Sequence, residues 1–148
     1  MQLIIASQND SEDIAFVESL KSYKYRDEIK LLTNLDESSM IEITASAYAC
    51  INIAPLHNDI ATLLNAMQCE VPVIAGNLHL AIEVLGQAAL FANPSVPENI
   101  AEKLMLLYKD ENKRTDLMQK AAEQSAKYSL NKTADQLWQN IQTTIMTT

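Results

Sequence analysis

The sequence predicts an α/β fold with a parallel sheet, because strand-like and helix-like patterns alternate five times along its 148 residues. The strand segments are short and mostly apolar, as expected for strands that are buried on both faces. Several of the other segments carry apolar residues at the spacing of one helix face. The length fits a single domain over residues 1–148 with a substantial core.

Residues 2–48 contain the first two strand–helix units. Residues 2–6 predict the first strand and residues 29–32 the second, and a helix follows each, ending near residues 23 and 48. The polar residues that can cap these helices are Asn9, Asp10, Ser11, Asp36 and Ser38. The apolar residues that we expect to face inward are Ile14, Phe16, Val17, Leu20, Met40, Ile41, Ile43 and Ala47.

Residues 49–76 predict a complete strand, loop, helix and second strand, and the rest of the chain is organised around them. Residues 50–54 are mostly apolar and stop at Pro55, which suits a buried parallel strand. Asn58 or Asp59 can then cap a helix that runs to about Gln68, and residues 71–75 form the next strand. The apolar face of that helix comprises Ile60, Leu63, Leu64 and Met67. Because free N–H groups and the helix dipole point into the crevice after such a strand, this loop predicts an anion-receptive site.

Residues 77–148 predict a fifth strand and a helical carboxyl terminus. A short helical turn over residues 77–85 precedes a strand over residues 88–91. Helices follow over about residues 97–108, 111–128 and 132–146, with Pro97 at the first position of its helix. The last helix carries Leu137, Trp138, Ile141 and Ile145 at helical spacing, and we interpret Trp138 as a packing residue.

Composition and charge exclude several classes of protein. The formal net charge of -8 argues against nonspecific binding of nucleic acid, which depends on clustered Lys and Arg. The only glycines are Gly76 and Gly86, so a glycine-rich dinucleotide or P-loop fingerprint is absent. No segment has the pattern of a transmembrane helix or an export signal. We expect Cys50 and Cys69 to be buried free thiols in the cytoplasm, without a disulfide or metal role.

The densest basic group in the sequence is Lys21, Lys24, Arg26 and Lys30. The first interpretation of this group is a solvated surface. The second is a patch that contacts a lipid headgroup or a phosphate.

The segment NAMQCEVPVIAGN, residues 65–77, resembles E-A-M-A-C-G-x-P-V-I-A-S in the carboxyl-terminal, nucleotide-sugar-binding half of group 1 glycosyltransferases. These enzymes belong to the two-Rossmann-domain, or GT-B, class. The likeness extends upstream to residue 26 and downstream to residue 138. Within it, AIEVLGQAALFANP, residues 81–94, is similar to the family's P-E-x-x-G-x-A-A-L-x-x-x-P segment. In this alignment Glu83 matches the family's glutamate. The resemblance therefore covers nearly the whole chain.

The resemblance implies a Rossmann-like, three-layer domain that lacks one strand of the family pattern. The family half has six strands in the order 3-2-1-4-5-6, and its first strand and helix, which supply an Arg and a Lys to the diphosphate, have no counterpart here. Closing up the remaining five strands gives the order 2-1-3-4-5, which is flavodoxin-like. We therefore expect the chain to be a fragment that lacks the acceptor-binding amino-terminal half.

The resemblance also places a donor site, which departs from the family pattern. The family has two glutamates eight residues apart, one near the transferred sugar and one near the ribose hydroxyls, and the alignment puts His57 and Asn65 there. Asn58, Asp59 and Ile60 stand where a G-F-G segment lets backbone amides approach the diphosphate, and these side chains, one of them anionic, should impede it. Asn65 can still hydrogen-bond a ribose hydroxyl. A nucleobase loop is expected at three further residues, Thr33, Asn34 and Leu35.

Two functions follow from the resemblance. The first is the donor-binding half of a retaining glycosyltransferase that takes a UDP- or GDP-type nucleotide sugar, needs no cofactor or metal, and is inactive without its acceptor domain. The second is a non-catalytic descendant that keeps the fold for binding or subunit interaction, which the substitutions at His57 and Asn65 favour. The resemblance assigns no catalytic residue, and the reaction type rests on the family alone.

Overall fold

A computed structural model describes residues 2–6, 14–53 and 60–146 of the chain. The chain divides into two compact units, residues 1–43 and residues 44–148. We describe each unit by itself. The expectation of a single domain over residues 1–148 stays a prediction.

The first unit contains one parallel strand pair with a helical crossover. Strand β1 (Leu3–Ala6) pairs in parallel with β2 (Ile29–Leu32), and helix α1 (Ile14–Lys21) lies between them in sequence. A short 3-10 turn (Arg26–Glu28) leads directly into β2. The predicted first helix is therefore confirmed but ends two residues early, and its three predicted caps lie outside the described residues.

Helix α2 (Glu37–Ala45) follows β2 and is capped by Asp36. The Asp36 Oδ1 accepts a hydrogen bond from the Ser39 N–H at 2.8 Å, which confirms this predicted cap. Hydrogen bonds from the Ser39 side chain and then from its backbone N–H lower the pKa of Asp36. The inward orientation predicted for Ile41 is wrong, since this side chain is 41% exposed. Met40, Ile41 and Ile43 span too wide an arc of the helix for one face to bury them all.

The second unit contains a three-stranded parallel sheet and five helices among its described residues. The strands are β3 (Cys50–Asn52), β4 (Val73–Gly76) and β5 (Ala89–Ala92), hydrogen-bonded in the order β3-β4-β5. The helices are α3 (Ile60–Gln68), α4 (His79–Leu85), α5 (Pro97–Lys109), α6 (Glu111–Ser125) and α7 (Leu130–Met146). Pro97 lies in the first turn of α5, as predicted.

Side chains pack on both faces of β4, which gives this unit its layers. Val73 and Ala75 belong to a cluster with Leu63, Met67 and other residues of α3, α4 and α6. Ile74 lies on the opposite face, because successive strand side chains alternate, and it packs in a second cluster. The members of that cluster are Ile74, Ala92, Leu107 and Leu117. The helices that cover the sheet therefore come from both sides, as in a Rossmann-like fold.

Tyr48 joins the segment before β3 to two helices of the same unit. Its hydroxyl donates a hydrogen bond to the Leu107 carbonyl of α5 at 3.1 Å. The guanidinium carbon of Arg114, on α6, lies 4.6 Å from the centre of the Tyr48 ring, within the range of a cation–π contact. Arg114 also pairs with Glu111 at 2.9 Å. These contacts anchor the amino end of β3.

The α/β, Rossmann-like fold class is confirmed by the parallel ladders and their flanking helices. The ladders β1-β2 and β3-β4-β5 agree with parts of the expected order, whereas the order 2-1-3-4-5 across all five strands stays a prediction. The packing role assigned to Trp138 is wrong, because α7 leaves this side chain 60% exposed. No helix in residues 2–6, 14–53 and 60–146 is long and apolar enough to cross a membrane.

Candidate functional site

The carboxyl ends of three parallel strands meet at one edge of the second unit. The register pairs Asn52 with Ala75 and Gly76 with Ala92, so the residues that follow these strands share this edge. Gly76 brings the ends of these segments together: a Cβ atom on it would be in van der Waals contact with the Pro94 Cγ at 3.4 Å and with the Ile53 carbonyl oxygen at 3.5 Å. The carboxyl edge is where open α/β sheets bind their ligands.

The turn after β5 is held by its own hydrogen bonds. The Asn93 N–H donates to the Asn99 Oδ1 at 2.9 Å, and the Ser95 N–H donates to the Asn93 Oδ1 at the same distance. The Asn77 N–H donates to the Ala92 carbonyl at 3.0 Å, which ties the end of β4 to the end of β5. These bonds fix the backbone of one side of the edge before any ligand arrives.

Most of the predicted donor loop after β3 lies outside the described residues. His57, Asn58 and Asp59 are all in this segment, which ends where α3 begins at Ile60. Asn65 is described and lies within α3, where it is half-buried. It follows the fully buried Leu63 by two residues, about 200° around the helix, so it projects away from the core face. Its amide therefore remains a candidate partner for a polar ligand.

The predicted nucleobase loop lies in the first unit, at the carboxyl end of β2. Thr33 and Leu35 are half-buried and Asn34 is exposed. Asn34 has a φ of 55°, in the left-handed region that asparagine tolerates better than most residues. The chain thereby turns from β2 into the Asp36 cap of α2. This loop has the strand-end position expected for a ligand contact.

Two further polar groups at the carboxyl edge were not predicted as site residues. Asn52 is half-buried at the last position of β3, and Asn77 is exposed directly after β4. The predicted strand over residues 50–54 has Asn52 at its centre, so only Asn77, two residues after the predicted strand 71–75, had a strand-end signal in the sequence. On α4, the His79 Nδ1 lies 4.0 Å from the Glu83 Oε2, and both side chains are largely exposed. Glu83, which matches the family's glutamate, is therefore open to solvent.

The described thiols and acidic residues of the second unit do not form a reactive centre. Cys50 and Cys69 are free and half-buried, and burial raises the pKa of Cys50, which keeps its thiol protonated at neutral pH. Within the described ranges, no three His, Cys, Asp or Glu side chains converge on a point that could hold a metal ion. The described part of the edge therefore offers hydrogen-bonding amides and backbone groups.

Two surface clefts occur elsewhere in the second unit. One, of about 500 Å³, is lined by Gly86, Gln87, Ala88, Lys120, Glu123, Gln124 and Lys127. The other, of about 290 Å³, runs along α7 beside Ile141 and Ile145. Neither cleft is lined by a residue that the sequence assigned to the donor site.

The family model described as "Glycosyl transferases group 1" matches residues 3–124 of the chain, including every predicted donor residue. The chain belongs to this family. The match confirms the resemblance found in the sequence. No curated protein matches the chain closely enough to be a relative.

Two solved structures are similar to this group 1 domain in fold. WaaG, a glycosyltransferase involved in lipopolysaccharide biosynthesis, has a TM-score of 0.73 and 16% identity over 87% of the chain. The sucrose-phosphate synthase of Thermosynechococcus elongatus has a TM-score of 0.79 and 18% identity over 99% of the chain. The chain spans only 35% and 39% of the length of these two proteins.

Proposed function

We propose that this chain is the donor-binding half of a retaining glycosyltransferase that takes a UDP- or GDP-type nucleotide sugar. The family match over residues 3–124 is the observation that carries the proposal. It spans both predicted ligand loops and the helix that holds Asn65. The proposal places the protein in the cytoplasm, where its two free cysteines would stay reduced.

The predicted donor residues supply the chemistry for this role. Asn65 offers an amide that can donate to and accept from a ribose hydroxyl. The residues at 33–35 present a strand-end loop to a nucleobase, largely through backbone groups. Asp59 opposes the diphosphate by like-charge repulsion, and His57 supplies no permanent negative charge toward the sugar. Donor binding by this half is therefore weak.

Transfer requires a second half that binds the acceptor. The two similar structures are more than twice as long as this chain, which supports an arrangement in which further sequence or another chain completes the enzyme. Residues 1–148 also have no counterpart of the donor-half strand and helix that supply an Arg and a Lys to the diphosphate in the family pattern, and departure of that group without these cations is costly. We therefore expect no transfer by residues 1–148 alone.

The alternative function is a non-catalytic glycosyltransferase-like domain that uses its fold for binding or subunit interaction. The observation that favours it is the replacement of both family glutamates, by His57 and Asn65. A neutral amide and an imidazole cannot reproduce the charge of two carboxylates. In this alternative, the domain keeps the shape of the carboxyl edge but no longer binds a nucleotide sugar.

An amide-resolved NMR titration with UDP, GDP and their sugar conjugates separates the two functions. For the donor-binding half, shifts concentrate at residues 33–35 and 57–65 and saturate at millimolar nucleotide. Asn65→Ala should weaken binding about two- to twelvefold, because one hydrogen bond to a ligand hydroxyl is worth roughly 0.5–1.5 kcal/mol. Asn140→Ala, on α7, is the matched control and should bind as the wild type does. A folded chain without shifts at either segment would contradict donor binding and favour the alternative.

A further inference from the structure

The segment between α1 and β2 concentrates positive charge in an otherwise acidic protein. Residues 21–30 contain Lys21, Lys24, Arg26 and Lys30 with only two acidic residues, for a net charge of +2. The rest of the chain has seven basic and seventeen acidic residues, for a net charge of -10. We call residues 21–30 the basic segment. The net charge of the basic segment is therefore opposite in sign to that of the rest of the chain.

The basic segment is exposed along its length and carries two aromatic rings. Every residue from 21 to 28 is exposed, and Tyr23 and Tyr25 keep 49% and 50% of their surfaces in solvent. Their rings meet edge to face with centroids 5.9 Å apart, and the Lys24 Nζ lies 5.0 Å from the Tyr25 ring centre. Tyrosines among cations suit the boundary between water and lipid, because the ring is apolar and the hydroxyl can stay in water.

Local contacts hold the cations in place without neutralising all of them. The Arg26 guanidinium donates to the Lys21 carbonyl at 3.2 Å and lies 3.8 Å from the Asp27 carboxylate. Lys21 pairs with Glu18 on the solvent side of α1. These exposed pairs are weak and exchange readily for other anions. The segment thus presents a fixed backbone loop with cations available to an anionic surface.

We propose that the basic segment docks this protein onto an anionic phospholipid surface. The four cations would meet lipid phosphates, while the phenol rings of Tyr23 and Tyr25 lie at headgroup level with their hydroxyls in water. The acidic remainder of the chain has the same sign of charge as the membrane, so an anionic bilayer attracts the basic segment in preference to the rest. A nucleic acid that extended beyond the segment would meet that acidic surface, so the charge distribution favours the lipid.

The position of the segment keeps such docking away from the predicted nucleobase loop. The segment enters β2 at its amino end, whereas Thr33, Asn34 and Leu35 follow its carboxyl end. Four strand residues separate these ends by roughly 13 Å. The proposal does not depend on glycosyl transfer, and a chain without donor binding would still dock.

Vesicle co-sedimentation tests the proposal with the full chain. The expected result is recovery with phosphatidylcholine vesicles that contain about 30% phosphatidylglycerol, and none with phosphatidylcholine alone. Raising the ionic strength to roughly 0.5 M should release the protein, because the Debye length falls to about 4 Å. Equal recovery on neutral and anionic vesicles, or none on either, would overturn the proposal.

Charge variants identify the surface responsible. Lys24→Gln with Lys30→Gln should lower the partition coefficient roughly 25-fold, at about fivefold per cation. The matched control is Lys109→Gln with Lys127→Gln, which removes the same charge from exposed lysines of the second unit and should change binding much less. Equal loss in both pairs would refute a specific surface. So would tighter binding of the wild type to single-stranded RNA than to the vesicles at the same salt concentration.

The tyrosines provide a second, uncharged test. Tyr23→Ser with Tyr25→Ser should weaken binding severalfold and leave its salt dependence unchanged, because the phosphate contacts remain. Circular dichroism and thermal unfolding check that both pairs of variants fold as the wild type does. Unchanged partitioning of the folded tyrosine variant would show that the rings do not enter the interface, and would refute that part of the proposal.

Discussion

A single methyl group added at Gly86 should destabilise the second unit by straining the backbone. Gly86 caps the carboxyl end of α4 with φ 54° and ψ -123°, a combination that residues with a Cβ atom rarely adopt. The Gln124 side chain closes over it and donates a hydrogen bond to the Val84 carbonyl at 2.7 Å. A Cβ on Gly86 would meet Gln124 at 3.5 Å, an ordinary contact. The cost of Gly86→Ala is therefore conformational strain.

The magnitude follows from two opposing terms. Forcing alanine into this region costs about 1–3 kcal/mol, while the smaller freedom of alanine in the unfolded chain returns about 0.4–1 kcal/mol. A net loss of roughly 1–2 kcal/mol should lower the melting temperature by about 2–8 °C in a protein of this size. Urea unfolding followed by far-ultraviolet circular dichroism measures the first quantity, and a thermal scan measures the second.

Gly76→Ala is the matched control, because Gly76 is the chain's other glycine and has no positive φ. The added methyl would find ordinary contact distances to Pro94 and Ile53. We expect a change between zero and about 1 kcal/mol of stabilisation. If Gly86→Ala were as stable as the wild type, or if both substitutions destabilised equally, the backbone argument for Gly86 would be refuted.

Three other substitutions test packing, hydrogen bonding and charge. Leu117→Ala should cost about 2–5 kcal/mol by urea unfolding, because the side chain is fully buried, whereas the partly exposed Leu104→Ala should cost under about 1 kcal/mol. Tyr48→Phe should cost about 0.5–1.5 kcal/mol through the lost bond to the Leu107 carbonyl, and equal stability would refute that bond's contribution. Asp36→Asn should reduce stability near pH 7. The lowered pKa of Asp36 means that this deficit shrinks as pH falls below about 4, and a pH-independent deficit would contradict the assignment.

The elements of this fold could be predicted from the sequence because their signals are local. The predicted span of β2 and the predicted end of α3 at Gln68 agree with the structure, and β4 and β5 lie within one or two residues of their predicted positions. Apolar runs flanked by turn residues carry that information. Trp138 could not be placed in this way, because helical spacing marks an apolar face without showing what covers it.

The candidate site was predictable in position and less so in composition. The carboxyl edge followed from strand polarity. The resemblance assigned Asn65, on α3, and the loop at residues 33–35, at the carboxyl end of β2, to the donor site. Asn52 was missed because the predicted strand extends two residues beyond it. Asn77 was missed because a single polar residue near a strand end is common and carries no motif. Their shared edge becomes visible only when the register of β3, β4 and β5 is known.

The separation of core from edge explains how a domain of this family can keep its fold while its donor residues change. Among the described residues of the second unit, the fully buried core side chains lie on β4, on β5 and on the helical segments that cover them, and none of these is a predicted donor residue. Asn65 projects from α3 on the side away from Leu63, so replacing a glutamate there leaves the core contacts intact. Substitutions at the edge therefore alter ligand binding at little cost in stability. The fold and the donor chemistry can thus diverge independently, which is why binding at residues 33–35 and 57–65 is the measurement that distinguishes the two proposed functions.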